Sequence, residues 1–207
     1  RAVTHGQKSW NGVAVLSRMP MEALQIGLPG QAAFGSRLLT VRVDERLDFT
    51  TVYCPNGKTL EHDDYRAKLE WFDDLAEFWQ SRSNHTDAQV LCGDFNIVAT
   101  ALDSWLGEGG EGHLFHSAEE RLRLNRLLSM DLIDLYRHRH PDEQTFSWWD
   151  YRGGAFHRKQ GLRIDLLLGS QSVVDRLRDV ATDREFRKKQ EGLTASDHAP
   201  VIAEIDW

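Results

Sequence analysis

The tightest constraint on the fold is the run Gly161-Leu162-Arg163-Ile164-Asp165-Leu166-Leu167-Leu168-Gly169-Ser170. Leu166-Leu167-Leu168 is continuously apolar, as in a strand covered on both faces. Asp165 sits inside this apolar stretch. A lone carboxylate there is costly to bury, so it needs a cation, a histidine or a metal beside it; a structural ion pair would meet the same need.

Further strand-like runs cover 12–17, 37–43, 47–53, 89–93, 145–149 and 201–205. Arg37–Val43 partly alternates, as a half-buried strand does. Between them lie amphipathic helices. In 61–82, Tyr65, Leu69, Phe72, Leu75, Ala76 and Trp79 recur at spacings of three and four on one face. Ser117 with Glu120 forms a capping box for a helix running to about Met130, and a short helix is predicted over 172–178. Strands mixed with helices in this way predict an α/β fold of layered sheets flanked by helices. With 207 residues, 41% hydrophobic and 28% charged, residues 1–207 suit a single domain with a sizeable core. No apolar run is long enough to span a bilayer. Cys54 and Cys92 lack metal-ligand spacing and read as reduced thiols beside strands, which points to a cytoplasmic, reducing compartment.

Four segments carry chemistry, each ending or following a strand. Leu91-Cys92-Gly93-Asp94-Phe95-Asn96 delivers a carboxylate and an amide two residues apart. On an extended chain both leave the same face, where they could bind a hard cation, take a proton from water and orient a phosphate oxygen; an Asx-type turn would use the same residues. Asp165 is the second feature. In Ser196-Asp197-His198-Ala199-Pro200, Asp197 can ligate a metal, and His198 has the intrinsic pKa for proton transfer or contact with phosphate. Tyr53-Cys54-Pro55-Asn56-Gly57 is a turn that fixes Tyr53 at a sheet edge. A formal net charge of −7 argues mildly against a nucleic-acid partner. Yet a metal-dependent nuclease needs central carboxylates, and 151–164 contains Arg152, Arg158, Lys159 and Arg163 with no acid.

The chain resembles the exonuclease III family of apurinic/apyrimidinic endonucleases, in the endonuclease/exonuclease/phosphatase superfamily. The resemblance runs from His5-Gly6-Gln7-Lys8 and Gly12-Val13-Ala14-Val15-Leu16 through Tyr53–Gly57, Gly93–Asn96, Phe146–Arg152 and Gly161–Ser170 to Ser196–Val201. Gly-Asp-Phe-Asn is shared across the superfamily, whereas the Trp-containing segment followed by Gly-Leu-Arg-Ile-Asp points to the DNA-repair branch. The resemblance implies a four-layer, DNase I-like two-sheet sandwich flanked by helices. It implies cleavage of the DNA backbone 5′ to abasic sites, 3′→5′ exonuclease and 3′ phosphatase or phosphodiesterase activity, and Mg²⁺ or Mn²⁺ as cofactor. The implied partner is double-stranded DNA with abasic sites or blocked 3′ ends, bound by a monomer.

The same resemblance implies residue roles. Asp94 activates water, Asn96 orients phosphate and nucleophile, Asp165 holds His198 against the scissile phosphate, and Tyr53 binds phosphate or assists the leaving oxygen. The implied metal set is Asp94, Asn96, Asp197 and His198. Trp148, Leu162 and Ile164 line a pocket for the flipped-out abasic sugar, and Lys8, Arg37, Arg152 and Arg163 are phosphate contacts. The family's opening stretch, with a strand bearing Asn and another bearing a Gln-Glu metal ligand, has no match here. A chain truncated at its N-terminus is therefore expected to bind Mg²⁺ poorly and, alone, to be unstable or nearly inactive. Two other readings stand beside this one: a superfamily phosphoesterase acting on small phosphate esters, disfavoured by Trp148-Trp149 and the basic loop, and a non-catalytic DNA-binding remnant.

Overall fold

The computed structural model describes residues 1–82, 85–188 and 192–207. Its centre is a six-stranded sheet of β3 (Met21–Ile26), β4 (Leu38–Val43), β5 (Leu47–Tyr53), β6 (Ala88–Asp94), β7 (Ile133–Asp134) and β8 (Asp165–Gly169), in the order β3-β4-β5-β6-β8-β7. Within it only β5 and β6 are parallel, joined through helix α1 (Asp63–Ser81). A parallel crossover brings both strands' C-terminal ends to one edge, so Tyr53 lies in register with Asp94. Strand β8 runs antiparallel beside β6, which sets its first residue, Asp165, opposite Asp94. Three of the four chemistry-bearing segments are thus aligned by sheet register.

Alternation divides the sheet into two apolar faces. Leu38, Val52, Leu91, Leu166 and Leu168 pack on one side with Trp71, Phe72, Leu75 and Trp79 of α1 and Leu124 and Leu127 of α2 (Ala118–Leu128). Burying each such side chain stabilises the fold by about 1.5–3 kcal/mol relative to exposure. Phe49 joins the clusters of the opposite face. There it meets the hairpin of β1 (Ala2–Gly6) and β2 (Gly12–Leu16), and, towards the other edge, Leu177 and Ile205 from the antiparallel pair β9 (Leu177–Thr182) and β10 (Val201–Ile205). The second layer of the sandwich is therefore two separate two-stranded sheets among the described residues.

The remaining helices are α3 (Leu135–Arg139) and α4 (Gln171–Val174). The capping box at Ser117 and Glu120 forms as expected. The helix predicted over 172–178 stops at Val174, and Leu177 begins β9 instead. Its six residues bury only Val180, so apolar alternation gave no sign of a strand. The strand predicted at 145–149 is replaced by an extended segment that bonds to two partners in turn. Ser147 and Trp148 donate to the Leu162 carbonyl, Trp149 donates to the Asp197 carbonyl, and Ala199 donates to that of Ser147. This segment stitches 161–165 to 197–199.

Candidate active site

Asp94 ends β6 one residue after Gly93, whose φ of 138° is open to glycine and strained for other residues. A Cβ at Gly93 would lie 1.9 Å from the Val52 carbonyl oxygen, so β5 and β6 pair this closely only because glycine stands there. The chain does not stay extended beyond Asp94. Phe95 donates to the Ile164 carbonyl at 2.8 Å, and Asn96 adopts φ 50°. The Asx-type turn, not the same-face extended geometry, brings the two side chains together. The Asn96 amide nitrogens donate to the two Asp94 carboxylate oxygens, from the backbone at 2.9 Å and from Nδ2 at 3.0 Å. Asn96 Nδ2 also donates to the Cys54 carbonyl, binding this turn to the one after Tyr53.

His198 reaches the same edge. Its Nδ1 lies 2.8 Å from Asp165 Oδ2, which supplies a partner for a carboxylate that is half-buried. Ser147 Oγ accepts from the backbone of both Ile164 and Asp165 and holds the strand entry in place. Asp197 accepts from Trp148 Nε1 at 3.0 Å, which fixes the indole beside the pair.

The electrostatics follow from this crowding. Burial, and then the neighbouring charge of Asp165, raise the Asp94 carboxyl to about 7 against the opposing effects of His198, the Asn96 amide and Lys68. Burial disfavours the His198 imidazolium, but the Asp165 hydrogen bond and the charges of Asp165, Asp94 and Asp197 outweigh it and raise the ring to about 9. Near neutral pH the ring is an imidazolium with Nδ1 committed to Asp165, and its Nε2–H is left for an anion. The Asp165 hydrogen bond leaves Nε2 of His198 facing away from the carboxylate, where a phosphate oxygen or a metal could meet it.

The other expected residues divide. Arg37 braces Tyr53: its guanidinium stacks 4.7 Å over the ring, donates to the Tyr53 carbonyl and meets Asn11 Oδ1. Lys8 is exposed in the β1–β2 turn, and Arg152 is exposed but ion-paired with Asp150 at 2.7 Å. Arg163 is a correction. It is 1% exposed and locked between Asp103 and Asp134, so it cannot reach a phosphate. Leu162 and Ile164 do adjoin Trp148, but both are buried with Val98 and back the indole instead of offering an open face. Trp149, expected with Trp148 to suit a duplex, is core at 1% exposure against Phe146 and Phe156.

One contributor escaped the sequence reading. Lys68, fully buried on α1, donates to the Asn96 carbonyl at 2.7 Å and the Asn56 carbonyl at 3.3 Å and pairs with buried Glu120. It ties both site turns to the helical layer. The available signal was a lysine at 68 within the stripe 65, 72, 75 and 79.

An α/β sandwich that gathers two carboxylates, a carboxamide and an imidazolium on one sheet edge defines a hydrolytic enzyme of the phosphoesterase type. The model of the Endonuclease/Exonuclease/phosphatase family matches residues 2–198. Exodeoxyribonuclease III of Haemophilus influenzae is 30% identical over 213 aligned residues, covering 97% of this chain and 79% of that protein. A single-residue variant of the 3′ phosphatase NExo from Neisseria, bound to a product DNA hairpin, superposes with a TM-score of 0.94 at 36% identity, covering 100% of this chain and 79% of that one. An AP endonuclease from Archaeoglobus fulgidus superposes at 0.91 with 27% identity, covering the same shares. The chain belongs to the exonuclease III branch of the endonuclease/exonuclease/phosphatase family.

Proposed function

We propose that this protein is a DNA-repair phosphodiesterase. It cleaves the backbone 5′ to abasic sites and acts as a 3′→5′ exonuclease and 3′ phosphatase or phosphodiesterase on blocked ends. The observation that carries the reading is the Asp165–His198 pair at 2.8 Å, set on the sheet edge directly opposite Asp94. Phosphoester hydrolysis needs a base for the attacking water and positive charge against the phosphoryl oxygens. Asp94, with its carboxyl raised to about 7, takes the water's proton. The imidazolium of His198 donates from Nε2 to a phosphate oxygen, and Asp165 fixes the ring. Asn96 orients phosphate and nucleophile, and Tyr53 contacts phosphate or the leaving oxygen. Trp148, backed by Leu162 and Ile164, presents its ring to a sugar without its base.

The donor set suits a hard divalent cation. Asp94 and Asp165 are cross-strand partners, and like charges in that position repel unless a cation lies between them. Mg²⁺ or Mn²⁺ would be held by Asp94, Asn96 and Asp197 and would supply positive charge against the developing negative charge on phosphate. Among the described residues no group of three His, Cys, Asp or Glu side chains is arranged to hold a metal unaided. Two free, buried thiols suit a cytoplasmic protein.

The test is cleavage and binding of a duplex with a single abasic site. Asp94→Asn and His198→Asn should abolish cleavage while binding survives; comparable loss of binding in both would mark the residues as structural. Trp148→Ala should weaken binding to abasic duplex more than to intact duplex. Faster turnover of small phosphate esters than of abasic DNA would favour the small-substrate reading.

A further inference from the structure

Two arginines outside the cluster described above remain to be accounted for. Arg184 and Arg187 lie on the short 3₁₀ turn after β9. The Arg184 guanidinium sits 4.4 Å over the Phe156 ring and 5.7 Å from that of Trp149, and Nη2 donates to the Phe156 carbonyl at 3.1 Å. The Arg187 guanidinium sits 4.9 Å over Tyr151 and 5.3 Å from Phe156, and Nη2 donates to the Trp149 carbonyl at 3.3 Å. Among the described residues, each cation is thus held by ring faces and one main-chain carbonyl, leaving other donors uncommitted. Arg187 Nε is buried and has no hydrogen-bond partner among the described residues. Among the described residues, Asp150 pairs with Arg152, Glu185 pairs with Lys188, and Asp183 caps the turn through the Glu185 amide.

Arg187 opens onto a cleft of about 290 Å³ also lined by Asp150, Tyr151, Phe156, His157 and Lys188. The segment that lines this cleft is bonded to the one that leads into the catalytic edge. Trp149 donates to the Asp197 carbonyl at 3.0 Å, and the Tyr151 hydroxyl donates to the Ala195 carbonyl at 2.8 Å. A ligand in the cleft is therefore one chain segment away from His198. Planar guanidinium forks held in place before the ligand arrives match the bidentate geometry of a phosphate. The chain carries a formal net charge of −7, so its overall field does not draw in a polyanion and local cations must do so.

We propose that Arg184 and Arg187, braced on Phe156, Tyr151 and Trp149, each bind a backbone phosphate of duplex DNA beyond the nucleotide at the catalytic edge, Arg187 at the cleft and Arg184 on the exposed turn beside it. The site rests on the DNA reading above and extends the footprint past the hydrolytic centre, onto the strand flanking the lesion. Exposed Arg158 and Lys159 on the adjoining loop continue the same positive surface.

The experiment measures binding of a fluorescent duplex carrying a tetrahydrofuran abasic analogue, in EDTA, across a KCl series. Each phosphate contact contributes about 0.9 to the slope of log K against log salt. Arg184→Gln and Arg187→Gln should each reduce the slope by about one, Arg187→Lys should keep it, and Arg46→Gln, before the start of β5, should leave it unchanged. Unchanged slopes in both glutamine variants, with thermal midpoints intact, overturn the site. If either glutamine variant unfolds, the unmodified protein is titrated against duplexes bearing single methylphosphonates. Sensitivity at a phosphate outside the pair flanking the abasic sugar supports the site, and sensitivity confined to that pair overturns it. Failure of the unmodified protein to bind the duplex at all refutes the DNA reading itself, whereas binding with unaltered slopes refutes only this site.

Discussion

Replacing Lys68 with methionine tests how the site turns are held. Lys68 and Glu120 are both 0% exposed, and the ammonium also lies 4.9 Å from the Phe115 ring centre. Burial lowers the Lys68 pKa, and the charge and hydrogen bond of Glu120 oppose that shift. Methionine keeps most of the apolar stem, so little cavity forms. What remains is a carboxylate held by Ser117 alone, through N and Oγ, and two carbonyls, of Asn56 and Asn96, that lose their shared donor. Breaking a buried pair from one side costs about 3–5 kcal/mol. That is a large share of a typical total of about 5–15 kcal/mol. At about 2–4 °C per kcal/mol for a chain of this size, the thermal midpoint should fall by roughly 6–20 °C. Lys68→Met/Glu120→Gln removes the orphaned charge while Gln retains the capping box, so it should recover on the order of 2 kcal/mol relative to the sum of the single variants. Urea denaturation of the four proteins, followed by tryptophan fluorescence and circular dichroism, completes the cycle. A loss below about 1 kcal/mol in Lys68→Met, or strict additivity, would refute the argument that this ion pair holds the site together.

The metal-free protein should show His198 titrating near 9 by NMR, and Asp165→Asn should bring it down towards the ordinary histidine range. Because the folded pKa is raised, this pair's contribution to stability is complete below about 6.5 and is lost as pH rises through about 9; an unshifted His198 resonance in Asp165→Asn would contradict it. Arg163→Met strands Asp134 and deprives Asp103 of one of its two arginines, so it should destabilise by about 3–5 kcal/mol yet leave the salt slope of DNA binding unaltered. A reduced slope would return Arg163 to the DNA interface. Cys54 and Cys92 have thiols raised by burial, Cys92 to about 12, so a disulfide reagent should label neither until urea unfolds the chain.

Much of the site was legible because its chemistry sits at strand ends. Tyr53, Asp94, Asn96, Asp165 and His198 each stand out where an apolar run stops or is interrupted, and that contrast is local. Legibility failed where a residue's meaning depends on what faces it. Arg163 and Arg152 look alike in a basic loop, but one is clamped by Asp103 and Asp134 and the other is in solvent. Trp148 and Trp149 are consecutive, so their side chains diverge, one to the rim and one to the core. Lys68 was hidden because the helical stripe records which face is buried and not which buried position meets a carboxylate 52 residues away.

The order of residues along the chain determined the kind of fold, most of the strands and long helices, and the inventory of reacting groups, since these follow from periodicity, capping and the cost of burying a carboxylate. Only the tertiary structure decided the pairing of Asp94 with Asp165, the contact of His198 with Asp165 and which arginines face outward. These depend on sheet order, register and desolvation, which arise when segments far apart in sequence share one low-dielectric space.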